Sequence, residues 1–343
     1  MELFGIEILA ILGFLIASYS VVANDAIQTL GTFLASNAKK PWWVLWLFAA
    51  TILVAVMLYG FYTQSGDIAF GRLNRLPYPD GGVQWYHVLP PVVLLFLTRF
   101  GIPVSTTFLV LTVFALTGGE ATEGVLAKML LKSGMGYVVA MAVGLIVYAL
   151  ISRAWERWIS DTKDKEIPVY WTVAQWASTA FLWWQWLAQD FANIFIFLPR
   201  TTEVVNGATQ VTFDTTALVI ATITMTLLLA YVFKTRGGNI QKIVTAKTNT
   251  TDIRAAIVIN LMFATILFIF KEVNDVPMST TWVFLGLIAG REIAISYIAS
   301  LRPRAEAMRD VLMDMGRLFF GLVVSIALAV FVPWVATGNL VTF

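Results

Sequence analysis

Two carboxylates sit deep inside apolar sequence, where charge is costly. Asp25 and Asp190 occur in the words Ala23-Asn24-Asp25-Ala26-Ile27-Gln28 and Ala188-Gln189-Asp190-Phe191-Ala192-Asn193. Each Asp follows an amide and precedes another by three residues, a spacing that stacks their oxygens on one side of a helix. A charge in hydrocarbon is rare unless it is paired or lines a wet cavity. One such Asp could serve a helix-helix hydrogen bond or end a helix early. Two in matching settings suit a small hard cation, with unwound backbone carbonyls completing an oxygen shell. A second pair of words is Pro103-Val104-Ser105-Thr106-Thr107-Phe108 and Pro277-Met278-Ser279-Thr280-Thr281-Trp282. Pro followed by Ser or Thr opens a helix, and in one copy capping would account for it. If two copies bring their helix N-termini together, hydroxyls, unpaired N–H groups and positive dipole ends converge on one point. That is a site for an anion.

The elements that must position these words are membrane segments. The chain has 343 residues, of which 59% are apolar and 13% charged, and a mean hydropathy of +0.78. That composition expects an all-α polytopic membrane protein and excludes most soluble enzymes. Spans are expected at about 4–36, 42–63, 125–152, 168–200, 213–234 and 313–337. Residues 84–118 and 254–297 read instead as helical hairpins, each broken by a Pro-containing interruption, Gly101-Ile102-Pro103 and Asn274-Asp275-Val276-Pro277. Glu2 and Glu7 stand where a secretory signal would be basic, so residues 4–22 read as a retained span.

The paired words make two repeats of one plan, 1–160 and 161–343, together one transmembrane transport domain. Each repeat holds three crossings and one hairpin, so the second copy is inverted. Fifteen Lys and Arg residues then fall in the segments on one side: Lys39, Lys40, Arg153, Arg157, Lys163, Lys165, Lys234, Arg236, Lys242, Lys247, Arg254, Arg302, Arg304, Arg309 and Arg317. The other side holds five at most: Arg72, Arg75, Arg200, Lys128 and Lys132. The excess marks the first side as cytoplasmic and places both termini outside, in what is expected to be the plasma (inner) membrane. Inverted repeats with discontinuous helices are the architecture of a secondary transporter, and carboxylates for a cation beside an anion site describe symport.

The four words, in this order and spacing, resemble the inorganic phosphate transporter family (PiT, Pho4-like) over nearly the whole chain, as a divergent member. The resemblance implies uptake of inorganic phosphate with Na+ or H+ as coupling ion and no other cofactor. It makes Asp25, Gln28, Ser105, Thr106, Thr107, Asp190, Asn193, Ser279, Thr280 and Thr281 the substrate-binding residues. Asn24, Asp25, Gln189 and Asp190 become the Na+ ligands. The pattern departs from the family at Gln28 and Gln189, where Asn is usual, at Val22 and Leu187, where Gly opens each word, and at Phe108 and Trp282, where His commonly follows Ser-Thr-Thr. These changes leave sulfate or another oxyanion open as the substrate. From the resemblance alone a homodimer is also implied, since lipid-facing and partner-facing surfaces are both apolar and no interface can be read.

With no Cys and only His87, cysteine nucleophiles, thiolate metal sites and a Ser-His-Asp triad are excluded. No P-loop occurs near Gly237-Gly238 or Asp80-Gly81-Gly82, so ATP-driven transport is not expected. Arg99 and Lys271 lie close to the hairpin tips, where they could help hold a divalent anion or could snorkel or pair, Lys271 with Glu272 or Asp275. Arg291 and Glu292 read as structural. His87 reads as interfacial, and most Trp residues as an aromatic belt, with Trp183, Trp184 and Trp186 either in that belt or walling the site. Rival functions are an ion channel filtered by the amide-carboxylate words and an intramembrane enzyme with Asp25 and Asp190 as a catalytic pair. The second lacks any recognisable means of binding a lipid or peptide.

Overall fold

The computed structural model describes residues 2–3, 6–117, 125–162, 164–205, 208–236, 252–273 and 278–338. The interruption 274–277 and the loop positions Lys163, Gly237, Gly238, Lys242 and Lys247 lie outside them. Helix α1 (Ile8–Val21) passes through a π turn at Val22–Ala26 into α2 (Ile27–Ser36). There follow α3 (Trp42–Thr63), the first hairpin of α4 (Trp85–Arg99) and α5 (Thr106–Thr117), and the long α6 (Val125–Asp161). The second half has α7 (Val169–Asp190), a short α8 (Ala192–Phe195), α9 (Thr215–Lys234), the hairpin of α10 (Ile253–Phe268) and α11 (Thr280–Ile293), and α12 (Arg304–Thr337). Helices α10 and α11 each run on into a π turn, at Ile269–Val273 and Ala294–Ile298.

Local chemistry sets several of these boundaries. Pro41, Pro168 and Pro303 stand immediately before α3, α7 and α12 with φ of −57°, −56° and −58°, a backbone already bent for helix entry and with no N–H to leave unsatisfied. Asp214 and Asp252 cap α9 and α10 by accepting the N–H groups of Ala217 and Arg254.

Among the described residues seven helices, with their π turns, are long and apolar enough to cross a membrane. The chain is an all-α polytopic, multi-pass membrane protein. The two hairpins differ in reach. The first has arms of 15 and 12 residues, about 22 and 18 Å, short of a hydrocarbon core about 30 Å thick. The second has apolar arms of 19 residues each, Ile253–Lys271 and Thr280–Ile298.

Packing follows a recurrent scheme. Helix α1 lies on α4, α7 on α10, α5 on α12, α6 on α11, and α3 on α9. Glycines line the α6–α11 contact and let the two backbones approach closely. A Cβ on Gly290 or Gly286 would fall inside van der Waals contact with the carbonyl oxygens of Met141 and Tyr137, and one on Gly144 would meet that of Leu287. Small residues four apart are the usual means by which helices approach in lipid. At the same end of α11, Arg291 and Glu292 are buried and paired at 2.8 Å, with Glu156 of α6 at 3.8 Å, the Tyr148 ring under Arg291, and Arg302 bonded to Glu292. Their structural reading holds.

Three sequence expectations change. The fourth span does not run to residue 200: α7 stops at Asp190, α8 stops at Phe195, and an antiparallel hairpin, Thr201–Val205 with Ala208–Thr212, follows. It docks on the 64–84 loop through Phe213 N–H to Gly66 carbonyl and Val211 N–H to Asn74. His87 is buried inside the protein. It is 2% exposed, stacked on Phe114 at 4.3 Å, bonded to Thr117 at 2.9 Å, and its Nδ1 accepts the Gln84 N–H to cap α4. Trp183 and Trp186 are buried core, stacked on each other at 4.9 Å, with Trp183 donating to the Ala49 carbonyl and so tying α7 to α3.

Candidate functional site

The two Asp words and the two Ser-Thr-Thr words meet at one place. Asp25 lies in the π turn between α1 and α2, where the widened turn lets a buried carboxylate project between helices without breaking the chain. Asp190 is the last residue of α7. Asn24, Asp25, Gln28, Gln189, Asp190 and Asn193 are all buried, none more than 7% exposed.

Within each Ser-Thr-Thr word the hydroxyls divide their work. Ser105 and Ser279 act as helix caps, accepting the N–H groups of Phe108 at 3.1 Å and Trp282 at 3.3 Å. This is the capping role that a single copy would suggest. The threonines go to the carboxylates. Thr106 donates to Asp25 Oδ2 at 2.8 Å and Thr280 to Asp190 Oδ2 at 2.8 Å. Thr281 lies 3.0 Å from Asp25 Oδ1, and Thr107 is a further hydrogen-bond partner of Asp190. Each Thr-Thr pair is therefore shared between the two aspartates, and a residue from each hairpin holds each carboxylate.

The amides complete the network. Asn24 donates to Asp25 Oδ1 at 2.8 Å and Asn193 to Asp190 Oδ1 at 2.6 Å. Asn193 also reaches Thr106 at 3.0 Å and Thr107 at 3.2 Å, and Gln28 lies 3.4 Å from Asp25 Oδ1. Gln189 donates to the Leu267 carbonyl at 2.9 Å. With their nitrogens so used, the side-chain oxygens of Asn24, Gln189 and Asn193 are buried and have no hydrogen-bond donor among the described residues. A buried acceptor left without a donor costs about 1–3 kcal/mol, which a cation held by those oxygens would remove. The two aspartates are also close enough to repel each other. Among the described residues no group of three or more His, Cys, Asp and Glu gathers as a metal site, so a cation here would rest largely on amide, hydroxyl and backbone oxygens. That donor set suits a small hard cation.

A comparison with solved structures matches the chain to "The sodium-dependent phosphate transporter" at a TM-score of 0.60, with 14% identity, over 97% of this chain and 98% of that chain. The two proteins share one fold. No protein-family model and no curated protein matches the sequence.

Around the site, the basic residues part company. Arg99 is exposed at the end of α4. Lys271 sits over the Phe70 ring at 4.8 Å, in contact with the 64–84 loop. That loop also brings Arg72 within electrostatic range of Asp190, a placement the sequence does not announce. The loop is shaped by Asp67, whose carboxylate accepts the N–H groups of Ala69 and Gly71, and by Arg200, which donates to the carbonyls of Leu76 and Pro77. Burial pushes the Asp67 carboxyl above the ordinary carboxylate range.

Proposed function

We propose that this protein is a secondary active symporter that imports inorganic phosphate with Na+ by alternating access. The observation that carries the reading is the sharing of both Thr-Thr pairs between Asp25 and Asp190, in a chain with the fold of a transporter described as sodium-dependent and phosphate-carrying. The resemblance of the four words to the inorganic phosphate transporter family points the same way. Na+ rather than H+ is supported by the three amide oxygens without donors, because a proton would occupy a carboxylate oxygen and leave them as they are. A channel would need a continuous pore, and the buried, mutually bonded words favour an occluded binding site instead.

In this mechanism Na+ binds first, at Asn24, Asp25, Gln189 and Asp190, and reduces the negative charge of the site. Phosphate, itself an anion, then docks between the α5 and α11 N-termini, where the positive helix ends favour it and the Thr hydroxyls, bonded to the carboxylates before the cation arrives, turn to it. Gln28 and Asn193 bridge the cation and anion sets. The two units 1–160 and 161–343 are inverted repeats that rock around this point, with both termini outside. The pairing of helices supports the repeat plan: α1 on α4 answers α7 on α10, α5 on α12 answers α11 on α6, and α3 meets α9 across the middle.

The test is Asp25→Asn and Asp190→Asn, two near-isosteric changes that remove charge and keep hydrogen bonding. Cation-dependent phosphate uptake is expected to vanish in both while the folded protein stays in the membrane. Wild-type uptake in either variant would remove the basis of the site.

A further inference from the structure

From Gln28 of the site toward the basic end of the bundle runs a line of uncharged polar side chains that, beyond Gln28, the binding chemistry does not use. Helix α2 carries Gln28, Thr32 and Ser36 four residues apart, one face descending about 12 Å, and Asn37 ends it. Gln175 and Thr179 of α7 and Asn260 of α10 face them. Thr32 donates to Asn260 Oδ1 at 2.8 Å, Asn260 donates to Thr179 at 2.9 Å, Gln175 donates to Ser36 at 3.1 Å, and Asn37 donates to Gln175 Oε1 at 3.0 Å. Thr32, Asn37, Gln175, Thr179 and Asn260 are 3% exposed or less. At one end Gln28 touches Asp25, and at the other Asn37 adjoins Lys39 and Lys40.

The opposite side of the site is built differently. The chain beyond Asp190 turns over Phe191, Phe195 and Phe197, all fully buried, and Phe114 meets Phe197 edge-on at 5.1 Å. An aromatic plug closes that side, whereas the α2–α7–α10 side is closed by side-chain hydrogen bonds. Bonds of this kind between helices in a membrane average only about 0.6 kcal/mol, too little to explain such a concentration by stability alone. They can also be exchanged for water as helices part, with no fixed charge left to trap an ion.

We infer that the seam between α2, α7 and α10 is the route by which the transported solute leaves the site toward the basic end of the bundle. In the conformation described, its amides and hydroxyls bond one another and the route is shut. When α2 separates from α7 and α10, the same groups solvate the departing solute. The inference rests on the transport reading but not on the identity of the solute.

The chain has no Cys, so single cysteines report without background. Thr32→Cys and Thr179→Cys are placed on facing helices, Lys39→Cys marks the basic face, and Leu261→Cys, exposed on α10, serves as the lipid-facing control. Each variant, in vesicles of known orientation and melting like the wild type, is treated with a charged, membrane-impermeant methanethiosulfonate. Thr32→Cys and Thr179→Cys are expected to react from the face that labels Lys39→Cys, with loss of uptake on modification, while Leu261→Cys stays unreacted. If Thr32→Cys does not fold, Thr179→Cys reads the other wall of the same seam. No reaction from that face, or reaction from the opposite face alone, overturns the inference. Labelling needs no phosphate: a labelled seam in a protein that fails to move phosphate would sink the substrate assignment and leave the route standing.

Discussion

Removing the hydroxyl of Thr106 strips one carboxylate oxygen of its donor. Asp25 Oδ2 accepts from Thr106 at 2.8 Å and from no other group among the described residues, whereas Oδ1 is reached by Asn24 at 2.8 Å, Thr281 at 3.0 Å and Gln28 at 3.4 Å. Thr106→Val keeps the shape of the side chain and leaves Oδ2 buried without a donor. A lost hydrogen bond to a charged group costs about 1.5–3 kcal/mol. Thr281→Val removes one of three donors, and its expected cost is that of a replaceable bond, about 0.5–1.5 kcal/mol. For a chain of this length the unfolding entropy is about 0.7 kcal/mol per kelvin, so a loss near 2 kcal/mol lowers the melting midpoint by about 3 °C and a loss near 0.7 kcal/mol by about 1 °C. Thermal melting of the purified protein in detergent, followed by the fluorescence of its 13 Trp residues, resolves the two. Equal shifts, or a larger shift for Thr281→Val, would refute the assignment of Thr106 as the only donor to Oδ2.

Other outcomes follow from the same geometry. Gly290→Val should prevent α11 from seating on α6, because the new side chain would overlap the Met141 carbonyl; loss of the folded species on size-exclusion chromatography is expected, and normal elution would contradict the packing. His87→Ala removes the acceptor that caps α4 and should cost about 1 kcal/mol, read as a lower melting midpoint with uptake retained at permissive temperature. Burial alone would raise the Asp252 carboxyl, but the hydrogen bonds from Arg254 outweigh it and the group sits below the ordinary value. A carboxyl lowered in the folded state contributes stability at pH values above its unfolded value, lost as pH falls through the folded one, so the stability gap between wild type and Asp252→Ala should close below about pH 4.

The words that carry the chemistry were legible because polar residues in apolar sequence have few structural excuses, and because two words recurred in pairs. Their convergence could be argued from the paired words, and Asp25, Asp190, three of the four amides and all four threonines do meet, while Gln189 bonds the Leu267 carbonyl instead. What local sequence could not supply was how each word is held. The Val22–Ala26 segment reads as uninterrupted helix, and the partners that Asp25 meets from its π turn, Thr106 and Thr281, come from distant hairpins. His87 looked interfacial for a similar reason: the ring's partners, Phe114 and Thr117, are some thirty residues away. The strand pair after α8 was missed because the apolar run was carried through to residue 200, although Thr201–Val205 and Ala208–Thr212 are rich in β-branched residues. The line Gln28, Thr32, Ser36 was visible at helical spacing, but which helices it faced was not.

The most direct test of the account is uptake of radiolabelled phosphate into proteoliposomes under an inward Na+ gradient, an inward proton gradient, or neither, with unlabelled sulfate as competitor. Uptake that follows the Na+ gradient, ignores the proton gradient and resists sulfate is the expected result. Uptake driven by protons would overturn the role given to the amide oxygens, and no phosphate uptake by folded protein under any gradient would show that the changes at Gln28, Gln189, Phe108 and Trp282 select another solute.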